Sequence, residues 1–110
     1  MEIIFSDREF EGICQDCNRL VKKYGFQNAT KITQRIEQLR AIETLGHMLK
    51  YRIGRCHPLK GDFKGLFALD IEHPYRLIIE PVFEVEVNKA KVDYYCVKII
   101  KIIGVKDYHG

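Results

Sequence analysis

The spacing of the apolar residues changes once along this chain, near Gly46, and that change constrains the fold more than any other feature. Before Gly46, large apolar side chains recur every three or four residues, which is typical of one face of an α-helix. Beyond it they alternate with polar residues, as in "LFALDIE", where Phe67, Leu69 and Ile71 share one face. The change predicts helices in the first half of the chain and strands in the second.

The helical half predicts two helices, over residues 6–24 and 29–45. Ser6 and Glu9 have the spacing of a capping box at the start of the first helix. Gly25 and Gly46 are placed to end the two helices. Because only a few residues separate the helices, we expect an antiparallel hairpin.

Strands are predicted over residues 2–5, 66–72, 75–83 and 92–105. In the third of these, Tyr75, Leu77 and Ile79 share one face. The order is one strand, two helices and then a run of strands joined by short turns. It predicts an α+β fold in which the helical hairpin covers one face of an antiparallel sheet. The length of 110 residues fits a single domain over 1–110.

Composition and charge exclude some classes of protein. No segment approaches the roughly 20 apolar residues of a membrane span. The start, "MEIIFSDREFEG", carries acids instead of the basic residues of a signal peptide, so we expect a cytoplasmic protein without membrane contact. The net charge is only +3, but residues 47–64 carry one acid and five basic residues: Lys50, Arg52, Arg55, Lys60 and Lys64. Such a patch attracts polyanions, although a solvated, charged loop would have the same composition.

The cysteines do not indicate a metal site. The motif "CQDC" at 14–17 falls within the first predicted helix, where we interpret both thiols as small buried groups. A zinc site from Cys14, Cys17, Cys56 and His57 is the alternative. Structural zinc sites usually pair two short clusters, and Cys56 and His57 do not have that spacing. We therefore expect no metal and no cofactor.

His57 and His109 are the two histidines with the strongest chemical context. His57 lies in the basic segment "HPLKGDFKG", and His109 follows Tyr108 at the end of the sequence. Two histidines suit metal-free phosphodiester cleavage, because one imidazole can take the proton of the attacking hydroxyl while another group protonates the leaving oxygen. Lysine and arginine stabilise the charge that develops on phosphate. The alternative is two unrelated surface histidines, and the sequence alone does not place them together.

The segment "GRCHPLKGDFKGLFALDIEHPYRLIIEP" resembles the core of HigB-type killer proteins in the RelE/ParE toxin superfamily. Members typically carry a His-Pro-Leu-Lys-Gly motif, then two strands with a Trp-Arg or Tyr-Arg pair, and commonly end in Asp-Tyr-His, as in "VKDYHG" here. The resemblance implies the toxin of a toxin–antitoxin pair, which cleaves mRNA in the decoding site of the ribosome without a metal. It also implies a cognate helix-turn-helix antitoxin as partner.

The resemblance further implies roles for individual residues. It assigns the catalytic positions to His57, Lys60, Arg76, Tyr108 and His109. RNA contacts are expected from the nearby basic side chains Lys50, Arg52, Arg55 and Lys64. Gly61 and Gly65 are expected to let the backbone turn beside the substrate. Which histidine is the acid and which the base stays open.

Two departures and two alternatives accompany the resemblance. "DIEHPYR" has Pro where the family usually has a short Asn/Gly turn, and "PVFEVEVNKAK" is a longer connection than usual. Both affect loops and therefore bear on substrate preference. A ParE-like toxin that binds DNA gyrase without catalysis is the first alternative, but it would not need the two histidines. A nucleic-acid-binding or interaction module without toxicity is the second.

Overall fold

The computed structural model describes residues 1–88 and 91–107. The strands in this part of the chain are β1 (Glu2–Phe5), β2 (His57–Pro58), β3 (Phe67–Asp70), β4 (Tyr75–Val82) and β5 (Ile99–Asp107). The helices are α1 (Arg8–Cys14), α2 (Cys17–Tyr24), α3 (Phe26–Ala41) and α4 (Leu45–Lys50). Short 3₁₀ turns cover Ile53–Arg55, Gly61–Phe63 and Tyr94–Cys96. This order confirms the predicted α+β fold.

The described strands form one sheet in the order β1-β5-β4-β3-β2. Strands β3 to β5 pair antiparallel, as predicted, with Phe67 opposite Ile79 and Asp70 opposite Arg76. The short strand β2 was not predicted, and it pairs antiparallel with β3. The first strand differs from the prediction, because β1 pairs parallel with β5, placing Glu2 opposite Ile99. The sheet is therefore mostly antiparallel, and its first and last described strands lie side by side.

The helix predicted over residues 6–24 is in fact two helices. Asp16 interrupts it by accepting hydrogen bonds from the backbone N–H groups of Asn18 (3.1 Å) and Arg19 (3.3 Å), which makes it the N-cap of α2. The start is also corrected. Asp7, not Ser6, caps α1 by accepting from the Glu9 N–H, so the capping-box prediction was wrong. The Ser6 hydroxyl instead donates to a backbone carbonyl of β5.

The "CQDC" motif spans this interruption, which corrects the prediction that both thiols are buried. Cys14 is the last residue of α1 and is half-buried, and burial raises the pKa of its thiol to about 11. Cys17 is the first residue of α2 and is exposed. The apolar period of the sequence continues across the break, so it does not reveal that the chain changes direction there.

The helix predicted over residues 29–45 also has different bounds. It begins earlier, and α3 ends at Ala41. Thr44 then caps α4, its hydroxyl accepting from the His47 N–H at 3.2 Å. Gly46 therefore lies inside α4 and does not end a helix. A side chain there would collide with the Tyr95 ring, which a Cβ would meet at 2.6 Å.

The two faces of the sheet differ. The helix-covered face holds the main core, in which Phe67, Leu69, Ile71, Leu77 and Ile79 are buried as predicted. The opposite face holds a smaller cluster of Leu59, Ala68 and Ile78. Tyr75 was predicted to share the buried face of β4, but it is 39% exposed. Within the described residues, no helix is long and apolar enough to cross a membrane.

The strand predicted over residues 92–105 begins later and ends later than predicted. Tyr94–Cys96 form a 3₁₀ turn, and β5 runs from Ile99 to Asp107. The turn contacts α4, and the Leu45 N–H donates to the Val97 carbonyl at 3.1 Å. These contacts explain why the alternating pattern of "VDYYCVKII" does not continue as a strand. Its first residues pack against a helix instead of a neighbouring strand.

Candidate functional site

His57 and Arg76 contact each other directly on the sheet face that lies away from the helices. Cross-strand partners point to the same face, so the pairing of His57 with Ala68 puts the imidazole there. Arg76 lies two residues before Ile78 on β4 and therefore shares that face with it. The Arg76 Nη1 atom is 3.3 Å from His57 Nε2. Two of the residues predicted to carry catalysis are thus brought together.

Asp70 and Arg55 complete the cluster. Asp70 is the cross-strand partner of Arg76 in the β3–β4 hairpin. One carboxylate oxygen is 3.6 Å from Arg76 Nε, and the other is 2.8 Å from Arg55 Nε. The Arg55 carbonyl in turn is 2.7 Å from His57 Nδ1. These contacts form a closed ring of four residues, Arg55, His57, Asp70 and Arg76, which we call the polar cycle.

The polar cycle determines where His57 carries its proton. A carbonyl oxygen only accepts hydrogen bonds, so Nδ1 must be the protonated nitrogen that donates to Arg55. A guanidinium only donates, so Nε2 accepts from Arg76 through its lone pair. Of the two neutral tautomers, these contacts therefore favour the one with the proton on Nδ1.

The backbone before His57 adopts an unusual conformation. Arg52 and Arg55 both have φ of +52°, and Gly54 between them has φ of +62°. Residues with a Cβ rarely occupy this left-handed region, and such conformations concentrate at functional sites. The left-handed conformation at Arg55 occurs at the residue whose carbonyl holds the imidazole.

The other residues of "HPLKGDFKG" follow His57 into the turn between β2 and β3. Lys60 is exposed just before the 3₁₀ turn, three positions beyond His57, and is not a member of the cycle. Gly61 and Gly65 have φ of +66° and +97°, so the predicted backbone turns are present. Lys64 lines a cavity of about 820 Å³ at the end of the sheet. Other lining residues of that cavity include Leu59, Leu66, Glu80, Phe83 and Tyr94.

The remaining predicted RNA contacts differ in their surroundings. Lys50 ends α4 with its Nζ 5.5 Å from the centre of the Tyr51 ring, and Arg52 is exposed. Arg55 is 70% exposed along its side chain even though it pairs with Asp70. Three cations therefore lie on a short segment that leads into β2, and one of them belongs to the polar cycle.

Tyr108 and His109 lie outside the described residues, so their predicted catalytic roles stay a prediction. The described end of β5 shows which part of the sheet it borders. Lys106 is the cross-strand partner of Arg76, and Asp107 is the partner of Tyr75. The last described residues of the chain thus run alongside the strand that carries Arg76.

Three residues near the site were not predicted. Asp70 could have been found from the sequence, because a turn at "EHP" sets a hairpin register that places it opposite Arg76. Lys106 could have been found in the same way once β5 is paired with β4. Arg35 gave no such signal. It lies on α3 and reaches the site through a hydrogen bond from its Nε to the Asp70 carbonyl at 2.7 Å.

The described residues offer no metal-binding cluster. Over 1–88 and 91–107, no group of three or more His, Cys, Asp or Glu side chains is placed to hold a metal ion. Cys56 next to His57 is buried, and burial raises the pKa of its thiol to about 12.

Comparisons with known proteins find similarity in structure only. No protein-family model matches the chain, and no curated protein matches it. A YoeB–YefM complex from Staphylococcus aureus matches with a TM-score of 0.57 and 21% identity, over 100% of this chain and 98% of that one. A YoeB/ParE toxin from Agrobacterium tumefaciens matches with a TM-score of 0.56 and 13% identity, over 99% and 100%.

A third match is the YoeB dimer from Staphylococcus aureus, with a TM-score of 0.51 and 20% identity, over 100% of this chain and 98% of that one. At these identities the likeness concerns the fold. The chain therefore has the fold seen in YoeB/ParE toxins, over essentially its full length. The finer resemblance to HigB-type proteins is not tested by these matches.

Proposed function

We propose that this chain is the toxin of a toxin–antitoxin pair, of HigB type, and that it cleaves ribosome-bound mRNA without a metal. The observation that carries the proposal is the polar cycle, in which His57 and two arginines meet on the open face of the sheet. The fold shared with YoeB/ParE toxins and the "HPLKG" and "DYH" motifs support it.

The reaction would begin with Arg76 turning from His57 to a non-bridging oxygen of the phosphate. Nε2 of His57 would then take the proton of the adjacent 2′-hydroxyl, whose oxygen attacks phosphorus. The bond to the 5′ oxygen breaks, and an acid protonates that leaving oxygen. The products are a 2′,3′-cyclic phosphate and a free 5′-hydroxyl. The Nδ1–H tautomer favours His57 as the base, which leaves His109 as the proposed acid.

Charge on the reacting phosphate would be stabilised by Arg76 and by Lys60 on the neighbouring turn. Fixed cations aimed at developing negative charge are often the largest contribution to catalysis. Tyr108 would stack on a base or orient His109. Lys50, Arg52, Arg55 and Lys64 would contact phosphates of mRNA or of ribosomal RNA in the decoding site.

The proposal also implies a partner protein and a place of action. A toxin that stops translation needs a neutralising antitoxin, and the Staphylococcus aureus YoeB relative was solved with YefM. We propose that this chain has a cognate helix-turn-helix antitoxin. We also propose that the chain acts in the cytoplasm, where the ribosomes are.

The test is to add the purified chain to a translating extract and to map the message by primer extension, with a gyrase supercoiling assay in parallel. We expect cuts within translated codons, none in the message without ribosomes, and unchanged supercoiling. No divalent metal beyond the ribosome's own requirement should be needed. An intact message together with inhibited supercoiling would contradict the proposal and favour a gyrase-binding toxin.

A further inference from the structure

Arg35 belongs to α3, on the helix-covered side of the sheet, yet its side chain reaches the backbone of the polar cycle. Its Nε donates to the Asp70 carbonyl at 2.7 Å, and its Nη1 donates to Gln38 Oε1 at 3.1 Å. The side chain is partly buried. An arginine held at two nitrogens has a defined orientation, because the guanidinium is planar and its donors are fixed relative to one another.

The same side chain lies against the loop that carries Arg55. A Cβ at Gly54 would meet the Cδ and Nε atoms of Arg35 at 2.7 Å each, so the space beside the Gly54 backbone is filled by Arg35. This loop contains the left-handed Arg52 and Arg55, each with φ of +52°. A backbone in that region persists only when its surroundings hold it there. Packing of Arg35 against Gly54 supplies such support.

Each of the two sites that Arg35 contacts, Gly54 and Asp70, is connected to His57 through one intervening residue. Gly54 is bonded to Arg55, whose carbonyl accepts from Nδ1 of the imidazole. Asp70 carries the carboxylate that pairs with Arg55 and with the Arg76 guanidinium beside Nε2. Arg35 therefore helps to position the hydrogen-bond partners of both ring nitrogens of His57, the Arg55 carbonyl at Nδ1 and the Arg76 guanidinium at Nε2.

We propose that Arg35 is a positioning residue that selects the Nδ1–H tautomer of His57 and so keeps a lone pair on Nε2, which lets Nε2 act as a base. This inference deepens the proposed function, because it concerns the residue assigned there as the base. Without Arg35, the loop at 52–55 would relax and the Arg55 carbonyl would move away from Nδ1. The imidazole would then populate the Nε2–H tautomer, in which Nε2 has no lone pair for the 2′-hydroxyl proton.

The tautomer can be measured directly by ¹⁵N NMR of the histidine rings, at about pH 8.5, where histidine side chains are ordinarily neutral. The variant Arg35→Met keeps an unbranched side chain that extends as far as the Nε position and removes both donors. Lys31→Met is the matched control, because Lys31 is also on α3 and joins it to the same hairpin through Glu72 at 2.9 Å. The control breaks a contact between the helix and the hairpin without touching the polar cycle.

We expect wild type and Lys31→Met to show His57 as Nδ1–H, and Arg35→Met to show a substantial Nε2–H population. In the cleavage assay, the rate of Arg35→Met should be lower than that of wild type by on the order of 10- to 100-fold, since a small displacement of a reacting group has effects of this size. The rate of the control should stay near that of wild type. If Arg35→Met does not fold, Arg35→Lys replaces it and should show a mixture of both tautomers.

Unchanged ¹⁵N shifts of His57 in the folded Arg35 variant would overturn the inference, and Arg35 would then be a structural link alone. The NMR measurement needs no RNA. A shift in tautomer without any cleavage by the wild type would therefore uphold the positioning role and reject only the proposed nuclease function.

Discussion

Asp70 lies between two guanidinium groups, which is also the arrangement that binds a phosphodiester. Its carboxylate orients Arg55 and Arg76 in the free protein, and it would compete with phosphate for both. The residue thus has two opposing effects on the proposed reaction. It preorganises the cations, and it weakens their attraction for RNA.

Replacing Asp70 by Asn should separate these two effects. We expect binding of a non-cleavable 2′-deoxy oligonucleotide to strengthen about threefold to tenfold, because one negative charge is removed from a partly exposed site. Cleavage should slow at the same time, since Arg76 loses an orienting partner. Fluorescence anisotropy and primer extension measure the two quantities. Glu72→Gln is the control, because Glu72 pairs with Lys31 outside the polar cycle. Weaker oligonucleotide binding by Asp70→Asn would contradict the competing role.

Cys56 should make stability depend on pH in the alkaline range. Burial raises the pKa of its thiol from 9.0 to about 12, so between these values the unfolded chain ionises while the folded protein does not. The stabilisation is complete below about pH 9 and is lost as pH rises toward about 12. We expect the free energy of unfolding, measured by urea denaturation, to fall over this range. The fall should be shallower in Cys56→Ala, and an equally steep fall in that variant would assign the effect to other groups.

At the level of elements, the sequence predicted the strands better than the helix bounds. The alternation of Phe67, Leu69 and Ile71 located β3, because a strand with one buried face has a strict period. The helical period was misleading at Asp16 and Thr44. Both cap new helices, but each is a polar residue between apolar positions, as expected within one continuous helix. Caps of this kind are recognised from the backbone and not from the apolar pattern.

Long-range contacts were the other feature of the fold that could not be predicted from the sequence. The parallel pairing of β1 with β5 joins residues almost a full chain length apart, and no local pattern specifies such a partner. The same holds for Arg35, whose role depends on α3 lying beside the loop at Gly54. His57 and Arg76 were identified by motif, but only the β2–β3–β4 pairing shows that they touch.

The last strand should be separable from the chemistry at its end. β5 pairs with β1 over Ile99–Ile102 and with β4 up to Asp107, so removing residues 108–110 leaves its described pairings in place. We expect this deletion, and His109→Ala, to preserve the fold and antitoxin binding. Cleavage should fall about 10²- to 10⁴-fold, the usual effect of losing an acid–base group. Circular dichroism and primer extension check the two parts, and full cleavage by the deletion would remove His109 from the mechanism.

At the scale of the whole molecule, one face of the sheet holds the main core and the other carries the candidate site. The helix-covered face contains most of the buried apolar side chains and accounts for stability. The open face carries the polar cycle, with Lys106 beside Arg76 and Lys60 on the adjoining turn. An antitoxin that neutralises this chain would need to cover the open face or keep it away from the ribosome.

If the polar cycle performs the proposed cleavage of mRNA, its side chains must be essential for that reaction. The rate of ribosome-dependent cleavage should therefore be measured by primer extension for His57→Ala and Arg76→Ala, with His73→Ala as the control, which removes an exposed histidine in the β3–β4 turn. We expect a loss of about 10²- to 10⁴-fold in the first two variants and near wild-type cleavage in the third. Cleavage that persists at the wild-type rate in folded His57→Ala would contradict the proposal.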